Sequence, residues 1–552
     1  MDRLLTGKSM KMVDSYTIEN IGIPSMVLME RAAFGMLRFI KENMQKDRKF
    51  LCLCGTGNNG ADGIALARML KIEGYEGKVF VVGDENKSTD QWKQQKGIAV
   101  KCGVVIENIM ESSLSRVSEE SDDAYNRYWV QELEQYDYIV DCIFGIGLTR
   151  EVGGQFAKII NALNTCKRAN NVYVAADIPS GLNADTGRIM GCAIKADYTI
   201  TFGEMKSGLL LYEGKDVAGK VLVENIGFPE ASLENAHEKF YAINKMDIRK
   251  VCERLNHTNK GSYGKVTVVA GSKDIYGAVH LAAMAAIHTG CGMVKVITHE
   301  NNRNLIYEKL PEAMVETYSQ ADKYDVSAVE NAVKWSDVVV IGPGLGTDEN
   351  AMELLQGFMS YTKQINKAIV IDADGLNLIA KYPQLKKHYH RKTVITPHMM
   401  EASRLLNIPV KEIAENIVQY GCQYATENGI TVVMKDSTTV ILGIESFDNK
   451  CNNRVCVNTT GNAGMATAGS GDVLSGIIGA VLAGSLDVSR IMKGYGDNDY
   501  EKCFISAALG VFIHGMAGDV AKEFWGEVSM TSGEMMKNIS VALRRCQKDE
   551  DR

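Results

Sequence analysis

The chain's densest chemistry lies near its C-terminal end, where residues 461–476 read GNAGMATAGSGDVLSG. Ala468, Gly469, Ser470 and Gly471 lead into Asp472, and the apolar run from Val473 through Leu482 predicts a buried helix. Small residues let backbone N–H groups close on an anion, and the helix N-terminus adds partial positive charge. A carboxylate placed there can take a proton from a hydroxyl, so the arrangement suits phosphate chemistry. The plain alternative is a glycine-rich turn entering a core helix. A second set lies in the first half, where Gly55-Thr56-Gly57-Asn58-Asn59-Gly60 matches GxGxxG. That match alone fits several nucleotide folds. Two carboxamides followed by Asp62-Gly63 exceed what a dinucleotide turn requires, and point to polar substrate contacts or a cation.

The elements that must position these groups follow from periodicity. Residues 24–42 carry apolar side chains at helical spacing. A strand at 49–54, a helix at 61–72 and a strand at 78–82 then make a βαβ unit around the first loop. Further strands at 138–140 and 172–176 run into Asp141 and into Asp177-Ile178-Pro179-Ser180-Gly181. Ligands gather at the carboxyl ends of parallel strands, which brings Asn59, Asp141, Asp177 and Ser180 beside the glycine-rich loop 145–151. A lone Asp after a strand is more often a helix cap, but four polar ends converging favour a site. The second half repeats the pattern, with strands at 266–270, 294–297, 338–341, 369–371, 393–395 and 431–434 and a small-residue helix at 278–289. The loops after these strands include GPGLG, DADG, TPH and KDSTT, and regular placement argues for one doubly wound domain of about 300 residues.

Length and composition agree with two large α/β domains. The 552 residues exceed one ordinary core, and 52 glycines against 8 prolines point to many tight strand-to-helix loops. A net charge of -7 without a Lys/Arg block argues against nucleic acid or an anionic membrane as partner. Thirteen cysteines without a CxxC pair indicate neither a zinc site nor a disulfide framework. The N-terminus lacks signal or transit character, and no apolar run reads as the roughly 18 residues a span needs, so a cytoplasmic location is expected. Residues 228–239 read as an interdomain linker; 107–128, 445–454 and 487–501 read as surface insertions.

With these residues assembled, both halves resemble a known pair of enzymes. Residues 1–230 are similar to the NAD(P)H-hydrate epimerase domain, through Asn58-Asn59-Gly60-Ala61-Asp62-Gly63, the VDxxFG strand end and the DIPSG turn. Residues 241–552 resemble the ADP/ATP-dependent NAD(P)H-hydrate dehydratases, through KGSYG at 260–264, GPGLG, DADGLN, TPHxxE, KDSTT and GSGD. Ala61, Ala463, Ala468 and Ser470 depart from the family pattern, and Ser470 keeps the hydroxyl of the threonine it replaces. The resemblance implies two three-layer α/β domains, the first Rossmann-like and the second ribokinase-like.

It also implies the chemistry. The substrates are the hydrates NADHX and NADPHX, whose R and S forms the first half interconverts and whose S form the second half dehydrates with ADP or ATP and magnesium. In the first half Asn58, Asn59, Gly60, Ala61 and Asp62, with Gly145, Ile146, Gly147, Leu148, Thr149, Arg150 and Glu151, hold the hydrate. Asp177 contacts its reacting ring as acid or base, and Asn59, Asp141 and Ser180 bind potassium, for which oxygen-only ligands are suited. In the second half Ala278, Gly344, His398 and Asp472 match hydrate positions, with Asp472 the base. Lys435, Asp436, Ser437, Thr438, Thr439 and Gly471 match adenine-nucleotide positions, and Glu401 is a weaker candidate for ordering magnesium. A homo-oligomer is expected. Two rival readings are a kinase for a vitamin or sugar hydroxyl in the second half and a non-catalytic scaffold in the first. The dehydratase motifs weigh against the one, the retained Asn59, Asp141, Asp177 and Ser180 against the other.

Overall fold

The computed structural model describes residues 1–552 apart from 44, 46, 110–121, 238–239, 320–324, 445–452, 493–497 and 548–552. The chain divides into two compact units, Arg3–Glu238 and Lys239–Arg552, the second including Met1–Asp2.

In the first unit β1 is Asp2–Leu5, β2 Lys49–Cys54, β3 Glu76–Val81, β4 Val105–Asn108, β5 Tyr138–Cys142, β6 Val172–Ala176, β7 Tyr198–Phe202, β8 Met205–Lys206 and β9 Lys220–Glu224. Seven of them form a parallel sheet in the order β4-β3-β2-β5-β6-β7-β9. Alternate residues of β2 serve opposite cores. Phe50, Cys52 and Cys54 pack with helices Ser25–Asn43 and Asn58–Ile72, while Leu51 and Leu53 pack with Asp122–Leu133 and Gly154–Cys166. Strand order reverses between β2 and β5, so the loops after these two strands open a crevice at the carboxyl edge of the sheet.

In the second unit β10 is Phe240–Ala242, β11 Lys265–Val269, β12 Met293–His299, β13 Met314–Tyr318, β14 Val338–Ile341, β15 Ala368–Ile371, β16 Thr393–Ile395, β17 Thr431–Met434, β18 Val440–Ile444 and β19 Asn453–Val457. Their order is β13-β12-β11-β14-β15-β16-β17-β18-β19-β10, parallel from β13 to β17 and then antiparallel through β18 and β19. The sheet is therefore mixed. Helices Gly277–His288, Ser470–Ala483 and Asp499–Ser529 form the core on one side of it. Asp499–Ser529 is long and apolar enough to cross a membrane, contrary to the sequence reading, but 94% of its apolar window is buried inside the protein. It is a core helix.

Other expectations need correction. The first helix is preceded by β1 and by Gly7–Tyr16, which the polar N-terminal sequence hides. The supposed insertion 107–128 begins in β4 and ends in helix Asp122–Leu133, where Tyr125 is buried; 110–121 lie outside the described residues. Residues 228–239 contain helix Glu230–Asn235 with Ser232 buried. Arg454 and Glu501, assigned to insertions, form a buried ion pair linking β19 to the long helix, and Ile491 and Met492 are core residues. Polar composition misled at 454 and 501 because Arg454 and Glu501 are buried against each other as an ion pair.

Candidate functional site

A cavity of about 810 Å³ opens at the crevice of the first unit. The start of helix Asn58–Ile72, after β2, supplies Asn58 and Asn59, the loop after β5 supplies Gly145, Ile146, Gly147, Leu148, Thr149 and Arg150, and Asp177 follows β6. Asp62, one turn into helix Asn58–Ile72, reaches the same wall, as does Asp14 from helix Gly7–Tyr16. Asn58 is itself the first helical residue, so Gly60 and Ala61 turn inward and are buried away from the cavity wall. Glu151 pairs with Arg188 at 3.1 Å and is likewise absent from the wall. These three expected hydrate contacts are not made by side chains lining the cavity.

Asp177 has φ 63°, a left-handed conformation uncommon for a non-glycine residue. Its Oδ1 accepts from Lys206 Nζ at 2.6 Å, the Phe202 amide at 3.1 Å and Thr201 Oγ1 at 3.2 Å. The Lys206 side chain is fully buried and also donates to the Phe202 carbonyl at 2.5 Å. Burial, with the Asp177 charge beside it, raises the Asp14 carboxyl to about 6, while Lys206 opposes the rise. Burial, then Asp177 and Asp14, push Asp62 well above the ordinary range.

Asn59, Asp141 and Ser180 come together at the floor of this crevice. Ser180 Oγ donates to Asp141 Oδ1 at 2.5 Å, the Ser180 amide donates to Asp141 Oδ2 at 2.7 Å, and Ser180 Oγ accepts from the Phe144 amide at 2.8 Å. Asn59 Nδ2 donates to the Phe144 carbonyl at 2.9 Å. Its Oδ1 is buried without a hydrogen-bond partner. Burial lifts Asp141 to about 6 despite its Ser180 and Ile143 donors. An orphaned amide oxygen beside a hydroxyl and a single carboxylate is an oxygen-only donor set, the chemistry that a hard cation takes.

The second unit assembles its groups around helix Ser470–Ala483. Gly469 precedes it with φ 86°, which favours glycine, and a side chain there would meet Leu281 and Ser532. Gly471 faces Lys435 Nζ and Asp372 Oδ2. Lys435 Nζ donates to Asp372 Oδ1 at 2.8 Å, while Asp372 Oδ2 is buried without a partner. Asp472 is raised to about 7 by burial, then by the Asp372 charge, against the pull of Lys435. Gly344 lies against Ala278 and Ile275, so two expected hydrate positions adjoin. His398 caps helix Met399–Leu406: its Nδ1 accepts from the Met400 and Glu401 amides, and Glu401 Oε2 accepts from the His398 amide. The opposite ring nitrogen, Nε2, lies 3.3 Å from Glu401 Oε1. Burial raises Glu401 to about 7. Lys435 bridges to His398 through the backbone; beyond it Asp436 and Ser437 are exposed, and buried Thr438 leaves its hydroxyl unpaired. Thr439 accepts from the Asn458 amide through its carbonyl. A second cavity, of about 640 Å³ beside helices Val326–Trp335 and Glu349–Gln364, contains none of these residues.

Sequence reasoning gave no role to Asp14, Lys206 or Asp372. Asp372 stands at a strand end and had that signal; Asp14 and Lys206 stand in no motif that the residues alone disclose.

Two α/β units, one Rossmann-like with a carboxylate and oxygen-donor site, the other ribokinase-like with a helix N-terminus facing a Lys–Asp pair, define a two-site enzyme. Residues 25–208 match the family described as YjeF-related protein N-terminus, and residues 266–540 the family described as NAD(P)H-hydrate dehydratase. Bifunctional NAD(P)H-hydrate repair enzymes from Thermofilum pendens and Moorella thermoacetica are each 32% identical, over 98% and 99% of this chain and 96% and 97% of their own. The Bacillus subtilis ADP/ATP-dependent NAD(P)H-hydrate dehydratase, co-crystallised with ATP and Mg²⁺, superposes with a TM-score of 0.44 at 23% identity, covering 55% of this chain and 98% of that one. The chain belongs to the bifunctional NAD(P)H-hydrate repair enzymes. Its activities are NAD(P)H-hydrate epimerisation and ADP/ATP-dependent NAD(P)H-hydrate dehydration.

Proposed function

We propose that the cavity at Asp177 interconverts the R and S hydrates, and that the Asp472 site dehydrates the S hydrate by phosphorylating its hydroxyl at the expense of ADP or ATP. Hydroxide is a poor leaving group and phosphate a good one. Asp472 takes the proton of the ring hydroxyl; the oxygen bonds to the terminal phosphorus of the nucleotide as its bridging P–O bond breaks. Loss of the phosphate, with a proton from the neighbouring ring carbon, restores the double bond. The amides around Gly469, Ser470 and Gly471 and the Lys435 ammonium face the transferring group, where they stabilise its charge. Asp436, Ser437, Thr438 and Thr439, which follow Lys435 in the chain, would contact the nucleotide. Asp372 Oδ2 and Glu401 suit the magnesium that accompanies it. In the first unit Asn59, Asp141 and Ser180 would hold potassium, whose charge would offset the buried Asp141 carboxylate.

The observation that carries this reading is the Lys435–Asp372 pair set against Gly471 beside an Asp472 raised to about 7. Mixed epimers of NADPH hydrate are to be incubated with and without ADP or ATP while the absorbance of the restored dihydropyridine is followed. Both epimers should disappear with nucleotide and only interconvert without it. Accumulation of a stable phosphorylated product would point to a kinase instead.

A further inference from the structure

Interconverting two epimers at a ring carbon that bears a hydroxyl and adjoins the ring nitrogen demands two proton-handling groups. If the hydroxyl leaves, it must gain a proton, and the water that adds to the other face of the planar ring must lose one. If the ring opens instead, the hydroxyl loses its proton while the ring side gains one, and closure reverses both. The two transfers fall on opposite faces of the ring in the first route and on different atoms in the second, so a carboxyl with only one free oxygen does not serve both. Asp177 is committed on one side, because three donors, among them a fully buried ammonium, occupy its Oδ1. Only Oδ2 is left to accept.

We propose that Asp14 is the second acid–base group of this cavity, giving a proton while Asp177, held in place by Lys206, accepts one. Asp14 reaches the cavity from helix Gly7–Tyr16, a different element from the strand end carrying Asp177, and its carboxyl makes no hydrogen bond or ion pair to the described residues. It is thus open to what the cavity holds. The ionisable groups that share the wall with it are Lys11 and Glu19 from its own stretch, Asp62, Arg150, Asp177 and Lys206. Among the acids, Asp62 is pushed well above the ordinary carboxylate range by burial and by the neighbouring Asp177 and Asp14 charges. Asp14, at about 6, can both lose and regain its proton near neutrality. Lys206 contributes differently: two of its three N–H bonds go to Asp177 Oδ1 and the Phe202 carbonyl, which fixes the carboxylate. It is a positioning residue.

The inference rests on the epimerase reading of this cavity, and the test separates the two. The R-to-S rate of full-length protein is measured by chromatography across pH 5 to 9 for wild type, Asp14→Asn, Asp14→Glu and Asp177→Asn, with ADP-driven dehydration of the S hydrate as a control for intact protein. Wild type should lose rate as pH rises through the Asp14 titration near 6, since the proton-bearing form is the donor. Asp14→Asn should slow turnover roughly 10²- to 10⁴-fold without that limb, leave KM within a few fold, and keep dehydration. Asp14→Glu should restore rate and a shifted limb. An Asp14→Asn protein with wild-type rate and limb, beside a dead Asp177→Asn, overturns the proposal and leaves the epimerase reading standing. A wild type that never interconverts the epimers overturns that reading itself.

Discussion

At the scale of single residues, the dehydratase site turns on one proton. Asp472 lies in the first turn of its helix, and Gly469 supplies no side-chain cap, so the carboxyl is available as a base. Raised to about 7 by burial and by Asp372, it is deprotonated only as pH climbs through neutrality, and the dehydration rate should rise with pH and level off above about 8. Asp472→Asn should cost roughly 10²- to 10⁴-fold in turnover while isothermal titration finds nucleotide affinity kept. Asp372→Asn should move the limb to lower pH, because it removes a charge that raises Asp472 and frees Lys435 to lower it further. A limb that stays in place would show that the two carboxyls are not coupled. Asp472, Asp141 and Asp177 were legible in the sequence because each follows a strand or opens a helix beside glycines. Asp14 and Lys206 were not: they meet Asp177 only through the fold, across 163 and 29 positions of chain.

At the scale of elements, the helix that carries Asp472 is held by a close approach. A side chain at Gly476 would collide with the Ala282 carbonyl and lie 3.0 Å from Ala285 Cβ, both on helix Gly277–His288. That contact sets the distance between the anion-facing helix and Ala278. Gly476→Ala should therefore separate the two helices, at about 1 to 3 kcal/mol of overpacking. Calorimetry should show a lower transition for the second unit, and dehydration should fall while epimerisation is kept; an unchanged transition would refute the packing argument. Both helices were readable as apolar stretches, as were the parallel strands, because buried parallel strands are near-continuous hydrophobic runs. β18 and β19 escaped notice because the sequence between them is polar and their pairing is antiparallel, and Arg454 in β19 is buried against Glu501. Gly7–Tyr16 is polar along most of its length, and its burial depends on contacts that periodicity does not disclose.

At the scale of the molecule, the two units are not consecutive pieces of chain, since Met1 and Asp2 belong with the unit that starts at Lys239. The Met1 ammonium donates to Asp247 Oδ1 at 2.9 Å, with the two side chains 1% and 2% exposed, and Asn244 Nδ2 donates to Asp2 Oδ1 at 2.7 Å. Asp247 also completes the capping box that opens helix Lys245–Val251. A buried carboxylate that loses its cation is left desolvated, which costs roughly 3 to 5 kcal/mol when one partner of a buried pair is removed. A fragment of residues 239–552 should therefore fold less stably than the same unit within the whole chain. Asp247→Asn separates this charge effect from any other loss, because asparagine keeps the capping geometry and drops the charge. In the fragment the substitution should raise the urea midpoint of unfolding, since the stranded charge disappears. In the whole chain it should lower the midpoint of the second unit, since it strands the Met1 ammonium instead. Opposite signs in the two backgrounds would measure the coupling directly, and equal signs would show that the Met1 amine does not stabilise the unit it belongs to.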